Sequence, residues 1–187
     1  MNENYWPNYY EGRERQQPSP FAERINKWIG ERSFVEWKIL DIGCGDGRDA
    51  ALFAATGKNV CAIDPNSDVE IDGVYFEKIG VAGLKKFGEA RRFDLLYARW
   101  FFHAITDVEQ EQVIDFAQDH CGYIAAEFRV PGDEPDDTHE RRLIDPWKFA
   151  KKLDAHGFRI IHLDVDYGFS KRGDDDPYLA RVIAERK

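Results

Sequence analysis

Residues 39–50, ILDIGCGDGRDA, follow an apolar run with one acid and then glycine at every second position. Asp41, Gly43, Gly45 and Gly47 fall in this stretch, and Asp64 closes a second apolar run, NVCAID. Glycines so spaced let the backbone turn sharply and bring its amides close to a ligand, with no Cβ atoms in the way. A carboxylate at the end of the following strand can accept both hydroxyls of a ribose through its two oxygens. A dinucleotide fingerprint would put its third glycine at position 48, which is Arg48. A P-loop would end in Lys followed by Ser or Thr, where this chain has Asp49 and Ala50. The bland alternatives are a ligand-free strand-to-helix turn for the glycines and a helix cap before Pro65 for Asp64. Taken together, three alternating glycines, Asp41 and Asp64 exceed what a turn requires and point to a nucleoside.

A second set of chemically capable residues lies in RWFFHA, EFRV and THERR: Arg99, His103, Glu127, Arg129, His139, Arg141 and Arg142. Arginine forks orient carboxylates and phosphates, so this set suits a small anionic molecule; it equally suits surface ion pairs with the neighbouring acids. His103, with a reference pKa of about 6.5, suits removal of a proton from a hydroxyl, or closure of the turn into the next helix.

The elements that must position these residues alternate strand and helix, the pattern of an α/β domain with a mostly parallel sheet. Ser19-Pro20 caps a first helix whose Phe21, Ile25, Trp28 and Ile29 share a face. KILDIG, NVCAID, VYFEKI, FDLLYA and GYIAAEF read as five strands. Helices fall at 46–56 and, shorter and weaker in pattern, at 81–89; a capping box, TDVE, opens another through His120. Asp145-Pro146 starts a last helix to about His156. FRIIHLDVDYG and YLARVIAERK are joined by a loop too short for a parallel crossover, so they pair antiparallel. All seven strands thus belong to one domain over 1–187. In it, 19–187 form the α/β core and 1–18 an aromatic front segment, either a lid through Trp6, Tyr9 and Tyr10 or simple packing.

Composition narrows the function classes. The chain has 187 residues, 43% of them hydrophobic, enough for one core. Its formal net charge of −9 argues against a nucleic-acid or membrane-surface partner, because such binding neutralises phosphates with Lys and Arg. No stretch approaches the roughly 20 apolar residues of a membrane span, and the amino terminus lacks the order of a signal peptide. The expectation is a cytoplasmic protein. Cys44, Cys61 and Cys121 lack zinc or redox spacing and read as buried, reduced thiols.

LDIGCGDGRD closely resembles the glycine motif of the class I S-adenosylmethionine-dependent methyltransferases, and the resemblance runs from the helix at residue 19 to the terminal strand pair. It implies a Rossmann-like seven-stranded sheet with helices on both faces and an antiparallel last strand. It also implies S-adenosyl-L-methionine as cofactor, a ligand with no phosphate. The cofactor contacts carried over are Asp41, Gly43, Gly45, Asp46, Gly47, Asp64, Pro65, Val81, Ala98 and, if the front segment is a lid, Tyr10. Many members carry an acid after the third strand to meet adenine, whereas this chain has Ile79, Gly80 and Val81, so backbone and apolar contact would hold the base there.

The segment after the fourth strand, Ala98-Arg99-Trp100-Phe101, is not the [DN]-P-P-[YF] of base-methylating relatives, and no cysteine follows a proline. A metal-dependent member would need carboxylates after the fourth and fifth strands, where this chain has Arg99 at one place and Glu127, Phe128 and Arg129 at the other, so no metal is expected. The reading that remains is methyl transfer to a small, anionic, hydroxyl-bearing molecule of glycan or secondary-metabolite type. His103 and Arg99 would be catalytic, and Arg129, His139, Arg141 and Arg142 would hold the acceptor. The alternatives are a methyltransferase acting on a protein side chain or amine, and a catalytically silent binding subunit of the same fold. A nicotinamide enzyme is disfavoured by Arg48 and by the lack of a second domain. Oligomeric state is not legible.

Overall fold

The computed structural model describes residues 15–32, 36–132, 142–171 and 176–187. Their elements are α1 (Pro20–Gly30), β1 (Lys38–Ile42), α2 (Arg48–Ala55), β2 (Asn59–Ile63), β3 (Val74–Glu77), α3 (Leu84–Gly88) and β4 (Phe93–Arg99). After these come α4 (Asp107–His120), β5 (Cys121–Arg129), α5 (Pro146–Ala155), β6 (Phe158–Asp166) and β7 (Leu179–Arg186). The strands form one seven-stranded sheet in the order β3-β2-β1-β4-β5-β7-β6. β1 to β5 pair in parallel, and β7 lies antiparallel between β5 and β6.

A parallel sheet must be covered on both faces, and the period-two alternation of the central strands supplies two apolar faces. Ile39, Val60, Leu95 and Ile183 pack against Phe21, Ile25 and Ile29 of α1 and Phe53 of α2. Leu40, Ile63, Leu96 and Ile124 pack on the opposite face against Leu84, Val113, Ile114, Phe149 and Leu153. Asp41 shares its face with Ile39, so its carboxylate stands on the side of α1 and α2. Since β2 and β4 flank β1 on opposite sides, the chain reverses direction across the sheet there. The crevice outside the carboxyl ends of β1 and β4 is where such sheets bind ligands.

The helix starts behave as their sequences require. Thr106 and Glu109 form a reciprocal capping box at α4, and Asp145 accepts from the amides of Trp147 and Lys148 at α5. Between β3 and β4 the expected helix is divided into a turn of 3-10 helix at Val81–Gly83 and the short α3. α1 ends at Gly30, where the amide of Glu31 closes the last turn on the Lys27 carbonyl.

Ser19 does more than cap α1. Besides accepting from the Ala22 amide, it donates its own amide and hydroxyl to the Asp49 carboxylate at 2.7 and 2.8 Å. The Tyr97 hydroxyl donates to the same carboxylate at 2.8 Å. All three residues are buried. This knot fixes the start of α1 to the first turn of α2 and to β4, and removing its acceptor would strand buried donors. Asp49→Ala should lower stability by about 3 kcal/mol, read as a reduced urea midpoint at unchanged m-value. An unchanged midpoint would mean that apolar packing alone seats α1.

Candidate active site

The turn after β1 is built from left-handed glycines: φ is +69° at Gly43, +56° at Gly45 and +72° at Gly47. Side-chain-bearing residues rarely adopt this conformation. The amides of Gly43 and Cys44 both donate to the Ile63 carbonyl, at 2.8 and 3.2 Å, which clamps the turn to the end of β2. A Cβ on Gly43 would stand 2.4 Å from the Phe101 ring, and one on Gly47 would stand 2.5 Å from Ile71. Gly43 therefore admits an aromatic wall as well as a ligand, and Gly47 answers to packing behind the turn.

Asp64 locks the same turn from the other side. Its Oδ2 accepts from the Gly45 amide at 3.1 Å and its Oδ1 from the Asn66 amide at 2.7 Å. The Ser67 amide is directed at the same carboxylate, so three amides hold it to the turn while the residue lines the cavity. Burial raises its pKa, against the pull of those amides.

A cavity of about 280 Å³ opens between the glycine turn and the end of β4. One wall is acidic: Asp41, Asp46, Asp49 and Asp64 all line it. Asp41 is 2% exposed, and its Oδ2 is buried with no hydrogen-bond partner. Burial first, then the charges of Asp49, Asp64 and Asp46, push its pKa well above the usual carboxylate range, and the Ala50 amide only partly opposes them. The arrangement is hostile to phosphate and favourable to a cation.

Residues 15–19 cross the rim of this wall. Arg15 donates to the carbonyls of Asp46 and Glu70, the Gln16 amide donates to the Asp46 carboxylate, and Arg48 donates to the Gln16 side chain. Gln16 thereby lines the cavity.

The opposite wall is cationic and aromatic. Arg99, Trp100, Phe101, Ala104 and Ile105 line it, with Glu109 at the start of α4. Arg99 Nε pairs with Glu127 Oε1 at 3.0 Å, and Arg181 Nε donates to Glu127 Oε2 at 2.7 Å; the Glu127 side chain is fully buried. The Ser170 hydroxyl completes this hub at 3.1 Å. Trp100 is the only non-glycine residue with positive φ among the described residues, at +55°. Its amide donates to the Glu127 carbonyl at 2.7 Å, and the Arg99 guanidinium lies 4.3 Å from its ring centroid. A bulky residue held in that region marks local strain where the wall is formed.

Of the residues singled out from sequence, Asp41, Gly43, Gly45, Asp46, Asp64, Pro65 and Arg99 come together around the cavity. Gly47, Val81 and Ala98 stand outside its lining; Ala98 is fully buried core, and Val81 packs against the α3 and α4 face. Arg129 is 3% exposed and also outside the lining, its guanidinium 5.3 Å from the Trp100 ring centroid. Arg142 donates its amide to the His103 carbonyl. Trp6, Tyr9, Tyr10, His139 and Arg141 lie outside the described residues.

Of the two roles open to His103, the geometry matches the structural one. The residue is 2% exposed, does not line the cavity, and accepts at Nδ1 from the Arg129 amide at 3.2 Å. Sequence reading missed Gln16, Asp49 as a buried hub, Glu109, and the Glu127–Arg181 pair. None of these had a local signal of a role at the site: the Glu127–Arg181 pair joins residues 54 apart on strands whose adjacency only the sheet order shows. The three cysteines are buried and free, and burial pushes the thiols of Cys61 and Cys121 up to about 12. Among the described residues no three side chains group as metal ligands, and no helix is long and apolar enough to cross a membrane.

A family profile described as a methyltransferase domain matches residues 12–163. No curated protein sequence matches the chain. Among solved structures, the magnesium protoporphyrin IX methyltransferase ChlM from Synechocystis PCC 6803, with bound SAM, has a TM-score of 0.68 at 14% identity. The match covers 89% of this chain and 78% of that one. The glycopeptide N-methyltransferase MtfA has a TM-score of 0.69 at 14% identity, over 91% and 97%. The 1,6-didemethyltoxoflavin-N1-methyltransferase of Burkholderia thailandensis, with bound 1,6-didemethyltoxoflavin and S-adenosylhomocysteine, has 0.66 at 19%, over 90% and 77%. At these identities the likeness is one of fold. Together with the profile match, it places the chain among the class I S-adenosylmethionine-dependent methyltransferases.

The state of Asp41 has a consequence for stability. Its folded pKa is raised, so between its ordinary value near 3.8 and that raised value the folded protein holds a proton that the unfolded chain has lost. Stability contributed here is present at acid pH and falls as pH rises through the window. Asp41→Asn removes the buried charge and keeps a carbonyl for the Ala50 amide. The ligand-free variant should melt higher than wild type at pH 7.5, and the gap should close toward pH 4. A gap that does not depend on pH would show that the charge of Asp41 is not its source.

Proposed function

We propose that the protein transfers a methyl group from S-adenosyl-L-methionine to a small, anionic, hydroxyl-bearing molecule, with the cofactor on the acidic wall and the acceptor on the Arg99–Trp100 wall. The observation that carries the cofactor half is the unpartnered, buried Asp41 oxygen among three other carboxylates at a left-handed glycine turn. That set fits a ligand with cationic groups and no phosphate. S-adenosyl-L-methionine supplies, when bound, a methyl group on a positively charged sulfonium, open to in-line attack.

The chain's own work is positioning. Asp64 lines the cavity for the ribose hydroxyls while its amide contacts keep the turn closed. Asp41 and the acids beside it face the cationic end, and Gln16 narrows the mouth from above. Across the cavity only the Nε of Arg99 is engaged among the described residues, which leaves its two terminal nitrogens for a carboxylate or phosphate of the acceptor. Glu127 fixes the direction of that fork and cannot itself reach solvent. Holding the reactants in line, with water excluded, contributes most of what such a displacement needs from a protein.

Two measurements test the reading in order. S-adenosylmethionine or its demethylated product should raise the melting temperature and NAD should not, because only a ligand that binds the folded state stabilises it. Asp64→Ala removes charge-assisted acceptors of roughly 1.5–3 kcal/mol each, so nucleoside affinity should fall at least tenfold by calorimetry. Equal shifts with NAD, or no shift with either nucleoside at millimolar concentration, would sink the proposal.

For the acceptor, carboxylated and phosphorylated hydroxy compounds are screened by release of demethylated cofactor. With the best of them, Arg99→Ala should raise KM more than tenfold and largely spare kcat, as expected for binding shared by ground and transition states. Better turnover of neutral or cationic acceptors would leave a methyltransferase with a different substrate class.

A further inference from the structure

Thr106 and Glu109 are spaced as a capping box, and at the start of α4 they bond as that spacing dictates. The Glu109 amide donates to the Thr106 hydroxyl oxygen at 3.2 Å, while Glu109 Oε2 accepts from the Thr106 amide at 2.8 Å and from its hydroxyl at 2.7 Å. These contacts hold the side chain through one oxygen. Among the described residues Oε1 accepts no hydrogen bond, and the carboxylate enters no ion pair. Gln110 is buried and donates its side-chain amide to the Phe102 carbonyl at 3.0 Å, which ties the first turn of α4 to the segment after β4. Glu109 is thereby fixed, partly exposed, in the cavity lining beside Arg99, Trp100, Phe101, Ala104 and Ile105. Of these side chains it is the only one that can take up a proton: a guanidinium is already protonated, an indole N–H only donates, and the other three have no polar atom. The aspartates of the cavity, Asp41, Asp46, Asp49 and Asp64, belong to the facing wall, and His103 is buried outside the lining. Arg99 pairs with Glu127 rather than with Glu109, so the two charges of the acceptor wall do not neutralise each other.

We infer, on the function proposed above, that Glu109 is a catalytic residue of the transfer: its Oε1 accepts the proton of the acceptor hydroxyl as that oxygen takes the methyl group. The bond from hydroxyl oxygen to methyl carbon forms and the bond from that carbon to the sulfonium sulfur breaks. The electron pair of the broken bond stays on sulfur, which becomes a neutral thioether, and the hydroxyl proton passes to the carboxylate. Before reaction, the hydrogen bond from hydroxyl to carboxylate orients the attacking oxygen, so one contact serves both alignment and proton removal. The same wall defines a class of acceptor. Arg99 takes the anionic group, the rings of Trp100 and Phe101 and the side chain of Ile105 suit a flat apolar body, and Glu109 takes the hydroxyl. An anion next to that hydroxyl would face the Glu109 charge and be repelled. The ring therefore separates the two groups, as in an aromatic carboxylate whose hydroxyl lies across the ring from the acid.

The experiment follows methyl transfer by the full chain to two matched sets of hydroxybenzoates, read as demethylated cofactor released. One set is the plain 3- and 4-hydroxy acids; the other carries a nitro group beside the hydroxyl, which is then already ionised at about pH 8. Glu109→Gln keeps the capping box, which accepts Glu or Gln at this position, and removes the proton acceptor. On the plain acids it should lower kcat by about 10²–10³ with KM nearly kept. On the nitro acids the loss should stay under about threefold, because no proton remains to be taken. Glu109→Asp retains a carboxylate but reaches too short for the reciprocal cap, so it should outperform Glu109→Gln on the plain acids; a purely structural role orders the two variants the other way. Equal losses on both sets, full activity of Glu109→Gln, or the reversed order would overturn the inference and leave the cofactor site and the anionic acceptor standing. Transfer by the wild type to none of the hydroxybenzoates, with S-adenosylmethionine bound, would overturn the inference through its acceptor class, and failure of S-adenosylmethionine to bind would overturn the cofactor reading as well.

Discussion

The site depends on one backbone requirement: the chain must leave β1 in a left-handed conformation and fold back onto the end of β2. The Ile63 carbonyl takes both the Gly43 and Cys44 amides, and this pair of bonds is possible only because Gly43 adopts a φ of +69° without a Cβ to collide with Phe101. Everything on the acidic wall is located from there. The turn presents the Gly45 amide to Asp64, and the left-handed Gly47 sets α2 off at the angle that brings Asp49 beneath Ser19 and Tyr97. One loop therefore fixes the relative positions of β1, β2, α1, α2 and β4, the elements that carry most of the cavity.

The two walls differ in how they treat charge. On the acid wall every carboxylate oxygen but the Oδ2 of Asp41 is committed to amides or hydroxyls of the fold, so the negative charge is held in place by the fold itself. On the other wall a single carboxylate, Glu127, is the fixed point, and two arginines are arranged around it. Removing Glu127 would leave the buried Arg181 and the part-buried Arg99 without their anchor, which is why the pair Glu127–Arg181 belongs to the fold as much as to the site. The antiparallel insertion of β7 beside β5 is what supplies Arg181, in direct register with Glu127. The odd strand of the sheet thus serves the Arg99–Trp100 wall.

What was legible in the sequence follows from how local each signal is. Caps, the glycine turn, strand alternation and the antiparallel ending are short-range patterns, and the structure reproduces them with shifts of a few residues at the ends of elements. Asp64 was legible because it could be read together with the glycine turn after the neighbouring strand. Asp49 was not: beside Arg48 in a first helical turn it looks like a solvated charge, and its partners lie 30 and 48 residues away. The arginines after β4 and β5 were legible as a group but not in their directions. Being near the end of a strand does not say whether a side chain turns into the cavity, as Arg99 does, or lies outside its lining against an aromatic ring, as Arg129 does. The surroundings of His103 were hidden for a related reason, since the amide at its ring nitrogen comes from a neighbouring strand.

The departures from ordinary folding rules coincide with the cavity. A bulky aromatic sits at positive φ at Trp100, and a buried carboxylate oxygen goes unpaired at Asp41, while the capped helices and the two apolar faces of the sheet obey those rules throughout. Local conflicts of this kind persist only when the surroundings over-determine them, and here the surroundings are identifiable. Trp100 is held by the Glu127 carbonyl and the guanidinium over its ring; Asp41 is held by a strand paired on both sides. In each case the rigid central sheet maintains a group in a state it would not adopt alone. A ligand that supplies the missing partner then gains binding energy from a wall that needs no rearrangement to receive it.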